Sequence, residues 1–179
     1  MSRPVEIRRA VQAPEYEAAR RLLREYEAEI GADLCFQHFA AELAELPTRY
    51  AGPAAGLWLA WGGALPLGCI ALSPAGPEAP QTGELKRLYV RPEAQGTGLG
   101  RALSETAITA ARTAGYADLR LETLDRLVAA RRLYEALGFA EVADFTMDGR
   151  APGTRFLARR LSAADHSARS PHSVRAQFG

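Results

Sequence analysis

The segment ELKRLYVRPEAQGTGLGRAL runs from Glu84 to Leu103 and decides how the rest is read. Its first seven residues alternate and carry Tyr and Val, the pattern of a β-strand. Its last residues, Leu99 and Leu103 with Ala107 and Ala110 beyond, repeat at helical spacing. Between the two lie Gly96, Gly98 and Gly100. Glycine is costly in a helix and is placed where backbone must approach something closely. A glycine-rich turn that opens a helix presents unpaired N–H groups and the positive end of the helix dipole. That combination suits an anion, most often a phosphate.

Outward from this turn the chain reads as one mixed α/β domain. Val5–Val11 begins as a strand. A helix from Pro14 to about Ile30 has Ala18, Leu22, Tyr26 and Ile30 as its inner stripe, and Gly31 ends it. A shorter helix spans about Phe36 to Leu46, where Pro47 stops it. Residues 51–77 carry no charge, but Gly62, Gly63, Pro66 and Gly68 divide them into two strand-length runs, which argues for a hairpin rather than a membrane span. After the glycine helix come a strand, ADLRLET (117–123), and a helix, LVAARRLYEAL (127–137). The helix carries Ala130, Leu133, Tyr134 and Leu137 on one side. EVADF (141–145) and TRFLARRL (154–161) are the closing strands. The expected order is β-α-α-β-β-β-α-β-α-β-β, a mixed central sheet flanked by about four helices, in a domain covering residues 1–161. Residues 162–179 have no apolar period and read as a polar tail.

Composition narrows the function classes. The chain has 179 residues, 22 Lys+Arg against 21 Asp+Glu, and a formal net charge of +1. No strong field is available for nucleic acid or an anionic membrane, so neither is an expected partner. Cys35 and Cys69 are far apart, with no CxxC spacing and no histidine cluster, so no metal site or disulfide framework is expected. Two free thiols and the lack of an N-terminal signal pattern lead to the expectation of a cytoplasmic protein. His38 lies at the edge of the expected acceptor region or at the surface rather than acting as a base, and a Ser/His/Asp hydrolase would need a Gly-x-Ser-x-Gly turn, which is absent.

Three phosphate binders compete for the glycine turn. The nucleotide P-loop requires Gly-Lys-Ser/Thr, which is missing. The dinucleotide fingerprint G-x-G-x-x-G fails at its last position, where Arg101 stands, although Glu122 lies at the distance of a ribose-binding acid. The preceding strand also carries Glu84, Lys86 and Arg87, whereas a central parallel strand is almost wholly apolar. The third binder is coenzyme A. Gln95, Gly96, Thr97, Gly98, Leu99 and Gly100 match the Gln/Arg-x-x-Gly-x-Gly/Ala pattern throughout. The segment resembles motif A of the GNAT superfamily of acyl-CoA N-acyltransferases, and LYEALGF (133–139) resembles that family's motif B.

The resemblance implies an acetyl-CoA-dependent N-acetyltransferase. The pyrophosphate would rest on the amides from Gln95 to Arg101, and side chains at the three glycines would block it. The pantetheine arm would follow the strand through Leu88, Tyr89 and Val90. Acyl transfer to an amine needs the amine neutral, so a base is required. Glu84 resembles the family's catalytic glutamate. Alternation places it on one strand face with Lys86, Leu88 and Val90, where partial burial would raise its pKa. Its bland alternative is a salt bridge with Lys86 or Arg87. Tyr134 matches the tyrosine that faces the departing sulfur. Leu127 stands where many members carry Asn, so that contact would be lost or replaced, with Thr123 or a nearby backbone group as substitute. The acceptor would be a small-molecule primary amine, shaped by residues 26–50. An amino acid would fit if Lys86 or Arg87 met its carboxylate. A non-catalytic coenzyme A-binding domain and a protein-directed acetyltransferase stand as rivals. Dimers are common among similar proteins, and a homodimer is compatible with the sequence.

Overall fold

The structure, a computed structural model, describes residues 4–31, 36–146 and 152–161, the side chains of 36–38 excepted. Seven strands form one sheet: β1 (Val5–Arg9), β2 (Gly56–Gly62), β3 (Leu65–Pro74), β4 (Thr82–Val90), β5 (Asp118–Leu124), β6 (Ala140–Glu141) and β7 (Thr154–Arg160). Their spatial order is β1-β2-β3-β4-β5-β7-β6. Every neighbouring pair is antiparallel except β4 and β5. A parallel pair needs a long crossover, and α4 (Leu99–Thr113) supplies it.

The remaining helices are α1 (Ala13–Ile30), α2 (Phe36–Ala44), α3 (Leu46–Arg49) and α5 (Val128–Ala136). The uncharged stretch forms the β2–β3 hairpin, as its glycine and proline positions require. No described helix is long and apolar enough to cross a membrane. Two details depart from the sequence reading. Pro47 does not end the second helix. It sits in the first turn of a separate short helix, α3, where its missing N–H costs nothing, which makes five α-helices among the described residues where about four were expected. The strand expected over 141–145 is reduced to Ala140–Glu141. The tail, residues 162–179, lies outside the described residues, as does Cys35.

Two apolar cores sandwich the sheet. Leu99, Leu103, Ala107 and Ala111 of α4 meet Leu72, Leu85, Leu119 and Leu121 on one face, with Tyr134, Leu137 and Phe139 at its edge. Ala18, Leu22 and Leu23 of α1, together with Phe39, Leu43 and Leu46, cover Leu57, Leu59, Cys69, Ala71 and Tyr89 on the other. Cys69 is fully buried there, and burial pushes its thiol up to about 12, so it is an inert core residue.

The sheet is joined at its centre by very little. Strand β4 pairs with β5 only over Thr82–Leu85 against Asp118–Leu121. Beyond that point β4 stays with β3 as far as Val90, and β5 stays with β7 as far as Leu124. The two halves therefore part along the last residues of β4, leaving one edge of that strand unpaired.

Candidate active site

A β-bulge shapes the parting. Cys69 lies opposite Tyr89, yet Ala71 lies opposite Lys86, so β4 carries one extra residue against β3. Arg87, in that extra stretch, has φ 59°, in the left-handed region. For a residue with a Cβ this costs about 1–2 kcal/mol. The compensation is visible. The Arg87 guanidinium grips the Glu42 carboxylate from Nε at 3.0 Å and from Nη2 at 2.6 Å. It also lies 4.9 Å from the centre of the Phe39 ring. The Tyr50 hydroxyl donates to the same carboxylate at 2.6 Å. Burial disfavours the charged Glu42, but Arg87 and Tyr50 overcome this and hold its carboxyl below the usual range.

The bulge also resets the alternation of β4, which corrects one expectation. Glu84, Lys86, Leu88 and Val90 do not share a face. Leu88 and Val90 join Leu85 against the α4 core, whereas Tyr89 belongs to the α1 core and Arg87 reaches α2. Glu84 and Lys86 lie on the face opposite Leu85. There Glu84 is buried and ion-paired on both oxygens, to Lys86 Nζ at 3.0 Å and to Arg120 Nε at 3.1 Å. Arg120 also donates to the Ala75 carbonyl at 2.8 Å, and its guanidinium lies 4.4 Å from the Phe145 ring centre. The expected partner Arg87 is thus committed to Glu42, and the partner that sequence reasoning missed is Arg120. The signal was there: within DLRLETL, Leu119 and Leu121 face the core, which turns Arg120 to the other face of β5, one strand from Glu84.

The glycine turn has the expected form. A single 3-10 turn, Pro92–Ala94, leads from β4 into it. Gly96 and Gly98 have φ 75° and 86°, and Gly98 is the N-cap of α4. A Cβ at either would meet nothing within 4 Å, so protein packing does not demand glycine there; the left-handed backbone does. Gly100 has no such constraint: a Cβ there would meet Leu133 of α5 at 3.5 Å, an ordinary packing distance, so neither backbone nor packing demands glycine. The N-cap has no side chain to satisfy the first N–H groups of α4, which leaves them to an external acceptor. Gln95 and Thr97 brace the turn from inside, donating to the Val90 carbonyl at 2.9 Å and the Ala94 carbonyl at 2.7 Å. The Leu99 side chain is buried, so only its backbone is available to a ligand. Arg101 is exposed and loosely paired with Glu105 at 3.6 Å.

The direction of the β4 amides follows from one hydrogen bond. Arg91 donates its N–H to Leu67 on β3. Tyr89, two residues earlier, also addresses β3, while Leu88 and Val90 address the unpaired edge. That edge leads straight to the glycine turn. Tyr89 therefore contributes little to it. Its ring packs against Tyr26 of α1 at 5.7 Å, and its hydroxyl donates to Glu29 at 3.0 Å.

Tyr134 sits on α5, buried, edge-on to Phe139 at 5.7 Å. Burial, and then the nearby Tyr26, raise its pKa, so the phenol stays protonated well into alkaline pH. Leu127 is the N-cap of α5 and has no side-chain bond to offer. Thr123, proposed above as a substitute, is buried on β5 past the end of its pairing with β4. Arg126, in the connection before α5, donates to the Ile30 carbonyl and so ties the last turn of α1 to the start of α5. No group of three or more metal-ligating side chains occurs among the described residues. The His38 side chain lies outside the description.

The comparisons with known proteins agree with this geometry. The model of the acetyltransferase (GNAT) family matches residues 16–139. An uncharacterized N-acetyltransferase of Schizosaccharomyces pombe is 44% identical over 122 residues, covering 66% of this chain and 72% of its own. Against three further curated relatives the chain spans between 30% and 56% of their length. A GNAT-family acetyltransferase of Staphylococcus aureus superposes with a TM-score of 0.74 at 17% identity, covering 88% of this chain and 99% of its own. An acetyltransferase of Salmonella typhimurium, solved with its cofactor acetyl-CoA, gives a TM-score of 0.69 at 21% identity, covering 96% and 99%.

Proposed function

This chain belongs to the GNAT acetyltransferase family, and from that premise we propose that it moves an acetyl group from acetyl-CoA to a primary amine of a small molecule, an amino acid among the candidates. One observation carries the reading. The unpaired edge of β4 runs continuously into a capless helix start, with Tyr134 in the adjoining core. A linear donor with a diphosphate at one end and a thioester at the other matches that layout. Its diphosphate suits the Gln95–Arg101 amides, and its amide-bearing arm suits the Leu88 backbone and the Val90 N–H, the Val90 carbonyl being held by Gln95.

Acetyl-CoA, when bound, supplies the thioester carbon and a thiolate leaving group. In the transfer, the amine nitrogen bonds to the carbonyl carbon and the carbon–sulfur bond breaks. The nitrogen loses a proton and the sulfur gains one, so the products are an amide and a thiol. Glu84 is the proposed proton acceptor on the amine side, directly or through water. Tyr134 is the proposed donor to sulfur: burial keeps its phenol protonated and so able to hydrogen-bond the departing thiolate, although the raised pKa makes it no stronger an acid. For an acceptor carboxylate, Lys86 is the candidate cation: its ammonium is paired to Glu84 but is the more exposed of the two and has further donors, whereas the Arg87 fork is filled by Glu42.

A panel of the standard amino acids, spermidine and kanamycin, assayed with acetyl-CoA, tests the proposal. Turnover of at least one amine is expected, with loss of activity in Glu84→Gln and Tyr134→Phe. Preference for spermidine over every amino acid would overturn the carboxylate reading. Wild-type turnover in both variants would overturn the catalytic assignments. Acetyl-CoA binding without acetylation of any amine would favour a binding module.

A further inference from the structure

Two tyrosine hydroxyls, those of Tyr26 on α1 and Tyr134 on α5, share a property. Tyr50, Tyr89 and Tyr116 each donate to an acceptor: Glu42, Glu29 and the Ala54 carbonyl. Tyr26 and Tyr134 have no hydrogen-bond partner among the described residues. Tyr16 has none either, but it lies ten residues before Tyr26 on α1, about 15 Å along the helix. Burial raises the pKa of both Tyr26 and Tyr134, and Tyr26 adds to the rise at Tyr134. The two belong to different cores. Tyr26 packs against the α1 core and Tyr134 lies in the α4 core.

Their placement is held from outside the pair. Tyr26 lies one helical turn before Ile30, whose carbonyl takes the Arg126 guanidinium. Arg126 also precedes α5, the helix that carries Tyr134. The Tyr26 ring is fixed on its other side by Tyr89. The charged groups around it on β4 and α2, Arg87 and Glu42, are satisfied by one another. The Tyr26 oxygen is left without a partner among the described residues of that side, as are the Tyr16 hydroxyl and the buried Trp61 Nε1, which lies on β2 away from α5.

Building on the acetyl-transfer reading above, we infer that Tyr26 is the acceptor-binding residue, its hydroxyl hydrogen-bonding the amine nitrogen from the α1 side while Tyr134 serves the sulfur from the α5 side. The Tyr26 oxygen accepts a hydrogen bond from the amine N–H and keeps its own proton throughout. The proton balance of the transfer is therefore unchanged: one leaves nitrogen and one arrives at sulfur. The role requires a neutral phenol with a free lone pair, and the Tyr26 ring lies against Tyr89, on the stretch of β4 that no longer pairs with β5.

The test is Tyr26→Phe, which keeps the ring that packs against Tyr89. Its steady-state kinetics are measured against wild type and Tyr134→Phe on the panel of amino acids, spermidine and kanamycin. Acetyl-CoA affinity is measured by calorimetry on the same proteins. The expected result is an acceptor KM raised at least tenfold in Tyr26→Phe, with acetyl-CoA affinity unchanged and the melting temperature preserved. Tyr134→Phe should instead lower kcat at an unchanged acceptor KM. An unchanged acceptor KM in Tyr26→Phe, or a change confined to kcat or to acetyl-CoA affinity, overturns the inference and leaves the acetyl-transfer reading intact. If wild type binds acetyl-CoA but acetylates nothing on the panel, the acetyl-transfer reading fails and the inference falls with it.

Discussion

Replacing Arg87 by methionine removes the cation against which Glu42 is buried and leaves the aliphatic stem over Phe39. The Glu42 carboxylate would keep one donor, the Tyr50 hydroxyl, in a site that is 5% exposed. Stripping one partner from a buried ion pair costs about 3–5 kcal/mol, because the remaining charge is left uncompensated. Against a typical total stability of about 5–15 kcal/mol this is a large fraction. For a chain of this size it corresponds to a fall in melting temperature of about 6–20 °C. Urea denaturation at neutral pH reads the loss. Adding Glu42→Gln to the variant should restore part of it, since an amide still accepts from Tyr50 and carries no orphan charge. The pH dependence has a definite sign. Glu42 has a lowered pKa in the folded state, so its contribution is complete above the unfolded carboxylate value and is lost as pH falls through the folded one. The gap between wild type and Arg87→Met should be full at neutrality and should close below about pH 4. A variant within about 1 kcal/mol of wild type, or further destabilisation by Glu42→Gln, would refute the claim that this pair holds the bulge.

Leu103→Ala empties a fully buried position between α4 and the sheet and should lose about 2–5 kcal/mol in urea. Tyr134→Phe should lower kcat by about a hundredfold while calorimetry finds acetyl-CoA affinity unchanged; unaltered kcat would remove Tyr134 from the chemistry. Because burial raises the Tyr134 pKa, wild-type kcat should show no alkaline loss from this group up to about pH 10, the ordinary tyrosine value. A descending limb abolished by Tyr134→Phe would contradict that.

The glycine turn was legible in the sequence because the signal is local. Glycines at 96 and 98 report left-handed backbone, and the helical repeat from Leu99 reports where α4 begins. The reason first given for them, room for a ligand, is joined by a second, since the backbone conformation alone requires glycine at both positions. The face of Glu84 was not legible. Alternation over ELKRLYV assumes an unbroken strand, and a single left-handed residue at Arg87 shifts every side chain after it to the other side. What stabilises that residue is Glu42, 45 positions away, and no local pattern links the two. The face of Arg120 could be read from the alternation of DLRLETL, but its pairing with Glu84 exists only once β4 and β5 lie side by side. Tyr26 was placed correctly on the inner stripe of α1. Its free hydroxyl became visible only when the partners of its neighbours could be named.

The central claim is that the open amides at the start of α4 hold the diphosphate of acetyl-CoA. Titrating acetyl-CoA into wild type and Gly98→Val by calorimetry tests it most directly. Valine must adopt φ near 86° there, at a cost of about 1–2 kcal/mol, and it puts a branched side chain beside the amides. The account predicts saturable binding by wild type and at least about tenfold weaker binding by the variant, a difference of about 1.4 kcal/mol. Absence of binding by wild type, or equal affinity in the two proteins, would contradict it.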